Sequence, residues 1–507
     1  MNDLTAIDVP KAGRREWIGL AVIALPCLLY SMDLTVLNLA VPHLTADLRP
    51  SSSQLLWIVD VYGFLVAGSL ITMGTLGDRI GRRRLLLIGA TAFGIASVIA
   101  AFSNSAEMLI ATRALLGLAG ATLAPSTLSL IRNMFHDPEQ RRIAVGVWIT
   151  SYSAGAAIGP LLGGLLLQQF WWGSVFLLGV PVMVLLLVLG PTLLPEFRDP
   201  GAGRLDLISA AMSLAAILFV IYGLKRIAQD GLHSLSAVTI IVGVVIGFAF
   251  LARQRTLVTP LIDLQLFRVP AFSASLAIYM LASFVAFGVY VFIAQYLQLV
   301  RGLSPLEAGL WTLPWAICFI IGSNLTPPIA RRFRPVFVII SGLVISAIGF
   351  ALIAQVSASS GFAILIIGSV VYSLGLAPVF TLANDLIIGT APPERAGSVA
   401  AISETCSELG GALGIAILGS IGTVIYRTRL VDVVPAAVPT AAAEAARDTL
   451  GGALAVAERL PDSLGTELLA AAREAFAHSL TVTAGICAAV VLVTAIVAGI
   501  MLHRVET

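Results

Sequence analysis

Charge is what this chain has least of. Only 11% of its 507 residues are Asp, Glu, Lys or Arg, while 58% are hydrophobic. A soluble domain carries about 25% charged residues, so the shortage excludes a chain bathed in water on all sides. The mean hydropathy of +0.97 agrees. The apolar stretches also lack the alternating polarity of barrel strands, which run only about 10 residues each, and this excludes a β-barrel. Cysteine is scarce: Cys27, Cys318, Cys406 and Cys487 all lie inside apolar stretches without paired spacing, which excludes a disulfide framework or a zinc site. The five histidines, His43, His136, His233, His478 and His503, fall in loops or at the ends of apolar segments. No HExxH, GxSxG or nucleotide-binding loop occurs, so neither metalloprotease, serine hydrolase nor ATPase chemistry is written here. No metal and no cofactor is expected. A net charge of +2 gives no reason to expect nucleic acid.

What the chain has instead is length without polarity. Fourteen segments can cross a bilayer as helices: 17–41, 55–76, 84–103, 107–131, 143–168, 173–194, 207–226, 236–252, 271–299, 306–330, 336–356, 361–389, 397–426 and 479–503. The first follows Lys11, Arg14 and Arg15 as a signal peptide would, but it is too long for one and is read as a retained helix. Arg and Lys cluster on alternate connections, as in Arg79/Arg82/Arg83/Arg84 and Arg331/Arg332/Arg334, whereas the short loops opposite hold only Arg49, Lys225, Arg226 and Arg301. The positive-inside rule then puts both termini in the cytoplasm, and an even number of spans requires the same. The expected organisation is a cytoplasmic segment 1–16, an N-terminal six-helix bundle 17–194, two extra central helices with linkers at 195–270, and a C-terminal six-helix bundle 271–507. The loop 428–478 of that last unit carries Leu450, Leu454, Leu464, Leu468 and Phe476 at helical spacing, broken by Pro461. It reads as an extracellular helical hairpin.

Within this apolar background five acids fall inside spans: Asp33, Asp60, Asp385, Glu404 and Glu408. A carboxylate at mid-bilayer costs about 2.5–3.5 kcal/mol on insertion scales. Such a group commonly serves an ion, a proton or a charged substrate, although an Asp33 that merely ties helices together stays open. Glu404 and Glu408 are four apart and share a helical face. Two like charges that close repel in a low dielectric, so at least one takes a proton readily. Asp60 lies near the outer mouth and Asp385 near the cytoplasmic end of the twelfth helix. Both rank below the other three.

Features recur in the two halves. Gly74-Thr-Leu-Gly-Asp78-Arg79-Ile-Gly81-Arg82-Arg83-Arg84 joins the second and third helices, and a weaker counterpart, Asn324 to Arg334, follows the tenth. Gly155, Gly159 and Gly163 with Pro160 mark the fifth helix, as Gly410, Gly411 and Gly414 mark the thirteenth. Such duplication is typical of transporters with repeats around a central site. Gly74 and Gly81 permit a tight turn, and Asp78 can cap the helix that follows. Glycines four apart make a ridge for close helix packing, and Pro160 bends its helix.

These stretches resemble the major facilitator superfamily. The loop from Gly74 matches its signature almost position for position, Arg113-Ala-Leu-Leu-Gly117 resembles its second motif, and Gly155–Gly164 its antiporter motif. Asp33-Leu-Thr35-Val-Leu-Asn38 resembles the first-helix motif of the fourteen-helix drug:proton antiporter branch, in particular its quaternary-ammonium exporters. The resemblance covers essentially the whole chain. It implies a proton-coupled efflux antiporter, not an enzyme, working by alternating access. It implies proton coupling by Asp33, Glu404, Glu408 and Arg113, and a conformational role for Gly74, Asp78, Arg79, Gly81 and Arg82. Lipophilic cations, protons and membrane lipids are the implied partners, for a monomer in a bacterial cytoplasmic membrane. The aromatics suit that cargo, since ring faces attract quaternary ammonium by about 0.5–2 kcal/mol. Tyr30, Trp57, Tyr152, Tyr290, Trp311, Trp315 and Phe380 join Asp33, Asp60, Glu404 and Glu408 as candidate substrate contacts. An exporter of the same fold for an antibiotic, siderophore or amino acid is the competing expectation.

Overall fold

Because a helix satisfies all of its backbone polar groups internally, long apolar segments in lipid have little choice of structure. The computed structural model describes residues 11–48, 50, 52–198, 206–230, 233–257, 260–358, 362–390, 396–434 and 438–502. Among these, the regular elements are helices throughout. The N-terminal half comprises α1 (Arg14–Leu48), α2 (Ser52–Ile80), α3 (Arg82–Ala101), α4 (Ala106–Gly120), α5 (Leu123–Met134), α6 (Pro138–Gln169), α7 (Ser174–Leu177) and α8 (Gly179–Leu193). Two further helices follow, α9 (Leu207–Asp230) and α10 (Ser234–Gln254). The C-terminal half contains α11 (Pro270–Gln295), α12 (Pro305–Ala330), α13 (Pro335–Ile353), α14 (Phe362–Gly389), α15 (Ala396–Val433), α16 (Thr440–Asp448), α17 (Leu450–Ala457) and α18 (Asp462–Leu502). Fourteen stretches are long and apolar enough to cross a membrane, in agreement with the sequence. The fourth is bent, since α4 and α5 together make the one span Ala106–Met134.

Local chemistry sets several boundaries. Ser105 accepts from the Met108 amide and Asp137 from the Gln140 amide, each capping a helix start. Ser304 and Glu307 form a reciprocal capping box at the head of α12. The hairpin before the last span differs from its sequence reading. Pro461 does break the chain, but the second amphipathic stretch is not a separate helix: it is continuous with the last span, making α18 41 residues long. No proline lies between Asp462 and Leu502, so the helix simply continues out of the apolar zone.

Each half has its own apolar core, one built around Tyr30, Phe93 and Trp148 and the other around Tyr279, Phe350 and Tyr372. The first and fifth helices of each half pack alike. A Cβ on Gly155 would overlap the Leu28 carbonyl of α1, and one on Gly414 would overlap the Phe284 carbonyl of α11. These two glycines let backbones touch, and the duplication seen in the sequence is thereby a duplication of packing. Helix α9 lies against both α2 and α15, where Ile221 meets Phe64, Ala67 and Leu409. Helix α10 packs on α9 and leaves Val238, Ile241, Val245 and Phe248 exposed, as a lipid-facing helix should. Outside the membrane zone, Asp206 caps α9 and joins it to α10. It accepts from Ser209 Oγ at 2.7 Å and from Arg253 Nη2 at 2.8 Å. The Ser209 hydroxyl, reinforced by the Ser209 amide and Arg253, holds the Asp206 carboxyl down at about 2.

Candidate functional site

The helical period brings Asp33 of α1 to the interior, 7% exposed. There it meets Arg113 of α4, whose Nη1 donates to Asp33 Oδ2 at 2.5 Å. The same guanidinium donates through Nε to the Ile58 carbonyl at 3.2 Å and lies 4.6 Å above the centre of the Tyr62 ring. Two charges that lipid would reject are thus held against each other. Asp33 is not an open carboxylate awaiting a ligand in this conformation: it is one half of a buried ion pair.

The other two acids sit on α15 where the halves meet. Tyr30, one turn before Asp33 on α1, donates from its hydroxyl to Glu408 Oε1 at 3.0 Å. Glu404, one turn away on α15, is 6% exposed, and its Oε1 has no hydrogen-bond partner. Tyr279 of α11 lies beside Glu404 and Ser407. A ring array surrounds this pair. Tyr152 lies 5.3 Å from Tyr30 and 4.8 Å from Trp148 between centroids, and Phe380 lies 5.2 Å from Tyr279 and 5.8 Å from Phe319. Trp148 is itself fixed by donating to Thr127 Oγ1 at 3.0 Å. The result is two carboxyl groups one helical turn apart, walled by aromatic faces from both halves. Such a site can take a proton or an apolar cation, and each lowers the field that holds the other.

The expected contacts divide accordingly. Tyr30, Tyr152, Glu404, Glu408 and Phe380 come together, and Asp33 with Arg113 stands behind them. Trp57 does not join them: it is 39% exposed and stacks on Tyr222 of α9 at 5.9 Å. Its helix start faces the added helix, a neighbour that a six-helix pattern does not anticipate. Trp311 is 41% exposed. Trp315 faces Tyr290 at 6.0 Å and accepts at its carbonyl from Ser373, forming a separate pair. The side chains of Asp60 and Pro160 lie outside the described residues. Sequence reasoning names Trp148 only as one aromatic of the spans, and it missed Tyr62, Tyr279, Phe319 and the buried Asn384, which accepts from Ser403. Their only available signal was spacing, since Phe380 and Asn384 share a face of α14.

Polar contacts close the basic end of the bundle between the halves. Arg132 donates to the Ile388 carbonyl at 2.6 Å, Arg142 stands 3.9 Å from Asp385, Asn324 Nδ2 donates to Thr150 Oγ1 at 2.9 Å, and Arg331 pairs with Glu139. Asp385 therefore belongs to this closure and not to the central pair.

The signature loop also departs from its sequence reading in two respects. Gly74 lies inside α2, and the turn falls on Gly81 alone, at φ +110. Asp78 does not cap α3. It pairs with the Arg82 side chain, which is fully buried, while Glu196 accepts from the amides of Arg83 and Arg84 at 3.2 Å each. Glu196 is far away in sequence, so no local pattern announces it. Arg79 follows Asp78 on α2, while Gly155, Gly159 and Gly163 line α6.

Residues 23–415 match the family described as Major Facilitator Superfamily. The chain is 46% identical to the multidrug efflux pump LfrA of Mycolicibacterium smegmatis, over 97% of both chains. It is 35% identical to the methyl viologen resistance protein SmvA of Salmonella typhimurium, over 95% of this chain and 97% of that one. Among solved structures, the human organic anion transporter TETRAN superposes with a TM-score of 0.62 at 16% identity, covering 95% of this chain and 99% of that one. At that identity it speaks for the fold alone.

Proposed function

The chain belongs to the Major Facilitator Superfamily, a multi-pass membrane transporter and not an enzyme, and we propose that it is a multidrug efflux antiporter exchanging lipophilic cations for protons. The observation that carries this reading is Glu404: a buried acid with an unpartnered oxygen, one turn from Glu408 and walled by rings. The similarity to LfrA, a multidrug efflux pump, and SmvA, a methyl viologen resistance protein, supports it.

In this reading the basic end faces the cytoplasm of a bacterium, by the positive-inside rule. The contacts of Arg132, Arg142, Arg331 and Asn324 then close the cytoplasmic side. When they part, the deprotonated Glu404 and Glu408 bind a flat or amphiphilic cation from the cytoplasm or inner leaflet. The halves rock, protons arrive from outside, and the neutralised acids release the cargo. Each proton moving inward through 100 mV supplies about 2.3 kcal/mol. Gly81 and the Asp78–Arg82 pair keep α2 and α3 moving as one body.

The test is flux by the purified protein in proteoliposomes with and without an imposed pH gradient, using ethidium and a quaternary ammonium compound as cations and an organic anion for contrast. Gradient-driven cation transport is the expected result. Transport that ignores the gradient would remove proton coupling, and transport of the anion alone would move the cargo to the competing class of small molecules.

A further inference from the structure

We infer that Tyr62 is a positioning residue that holds Arg113 on its ring face and so links the Asp33–Arg113 pair to the Tyr30–Glu408 contact between the halves.

Three observations converge on it. First, the ring is placed between the two polar pairs. Arg113 lies 4.6 Å from its centre on one side, and the Tyr30 ring lies 6.2 Å away on another. Asp33, Arg113 and Glu408 all act on Tyr62 electrostatically. Among the described residues, Tyr30 of α1 and Tyr152 of α6 are the further titratable neighbours. Second, the hydroxyl of Tyr62 is buried without a hydrogen-bond partner. A buried hydroxyl left unmade is a cost, so the ring, and not the hydroxyl, is what this position employs. Third, α4 is shaped to seat the ring. A Cβ on Gly117 would approach the Tyr62 carbonyl to 2.6 Å, and one on Gly120 would approach its hydroxyl to 3.1 Å. The two glycines bring α2 close enough that Arg113, on the same helix as both, meets the ring face.

The consequence concerns what happens when Asp33 takes a proton. Arg113 then loses its countercharge in a medium that tolerates no bare cation. Its remaining holds are the Ile58 carbonyl, the Tyr62 face at 4.6 Å and, farther off at 5.9 Å, the Phe176 face, so that Tyr62 is the nearer of two rings. Because a desolvated cation gains more from a ring face than an exposed one does, Tyr62 keeps the guanidinium in place and keeps its field directed at the Tyr30–Glu408 contact. The proton comes from water on the open side, resides on Asp33, and leaves to the other side when Arg113 re-pairs. Tyr62 itself exchanges no proton.

This inference rests on the antiport reading, and the experiment separates the two. Binding of tetraphenylphosphonium to the full-length protein in detergent is measured by calorimetry from pH 5 to pH 9, with thermal unfolding recorded for each variant. The wild type should show protons displacing the ligand. If it shows none, the antiport reading fails, and with it the premise here. In Tyr62→Leu the guanidinium is less firmly held and neutralises nearby acids less well. The pH at which protons displace the ligand should rise by about one unit, a tenfold change in proton concentration. Tyr62→Phe keeps the face and should restore the wild-type profile. Tyr62→Met, of similar volume and more adaptable, serves if the leucine variant unfolds. A profile for the ringless variants that superimposes on the wild type overturns the inference, as does a Tyr62→Phe profile displaced like that of Tyr62→Leu.

Discussion

The Tyr30 hydroxyl donates to Glu408 Oε1 at 3.0 Å, so a residue of the first helix holds an acid of the thirteenth span. The two belong to different halves, and alternating access requires such contacts to form and break. A hydrogen bond to a charged group contributes about 1.5–3 kcal/mol. Tyr30→Phe should therefore slow gradient-driven ethidium exchange by about tenfold while leaving the fold intact. Glu408→Gln separates the roles of this residue: the amide oxygen still accepts from Tyr30, so thermal stability should hold while exchange is lost. Exchange that persists in Glu408→Gln would show that no proton is carried there.

The Asp33–Arg113 pair predicts a different pattern. Both partners are buried, with side chains 9% and 1% exposed. Removing one partner of a buried pair costs about 3–5 kcal/mol because the other is left bare. Arg113→Gln should lower the unfolding temperature sharply, as should Asp33→Asn, which should also abolish exchange. The double variant Asp33→Asn/Arg113→Gln should recover most of the stability and none of the exchange. Full additivity of the two single losses in thermal unfolding would contradict the pairing.

Much of this was legible beforehand, for identifiable reasons. Span number follows from hydropathy because lipid forces backbone satisfaction within each segment. Glu404 and Glu408 could be paired from their spacing because a helix repeats every 3.6 residues. Neither rule says which helix lies opposite. The partner of Asp33, 80 positions away in Arg113, and the cap on Arg83 from Glu196 are products of tertiary packing. Trp57 looked like a site aromatic because nothing local reveals that α9 occupies its face. The run of acids and arginines was readable as chemistry, but not as geometry.

The closure at the basic end can be tested by charge reversal. Arg331 and Glu139 are both partly exposed, 45% and 58%, and such a pair contributes only about 0–1 kcal/mol to folding. Its effect should lie in the balance between conformations. Glu139→Arg places like charges together and should open this end. Alkylation of a cysteine placed at Ser407, half-buried on α15 between the two acids in sequence and bonded to Ser283, then reports the opening in a background lacking the four native cysteines. Labelling should speed up several-fold in Glu139→Arg and return to its starting rate in Glu139→Arg/Arg331→Glu. Equal labelling in all three proteins would mean that this contact does not hold the halves together.

The turn between α2 and α3 offers a test in which two losses should not add. Gly81 has φ +110 and ψ 135, a backbone region that L side chains rarely adopt and where one costs about 1–3 kcal/mol. A Cβ there would also approach the Glu196 carboxylate to 2.7 Å at its carbon. Glu196 in turn caps α3 through the amides of Arg83 and Arg84, a contribution of about 1 kcal/mol by analogy with helix caps generally. Its ion pair with Arg83 is long, at 3.6 Å, and partly exposed, so the amide contacts matter more. Gly81→Ala should lower the unfolding temperature through both strain and displacement of the cap. Glu196→Ala should lower it less. In the double variant the alanine at position 81 no longer meets a carboxylate, and the cap it would displace is already absent. The combined loss should then fall short of the sum of the two. A strictly additive result would mean that Gly81 is required for its backbone angle alone and that Glu196 holds α3 independently of the turn.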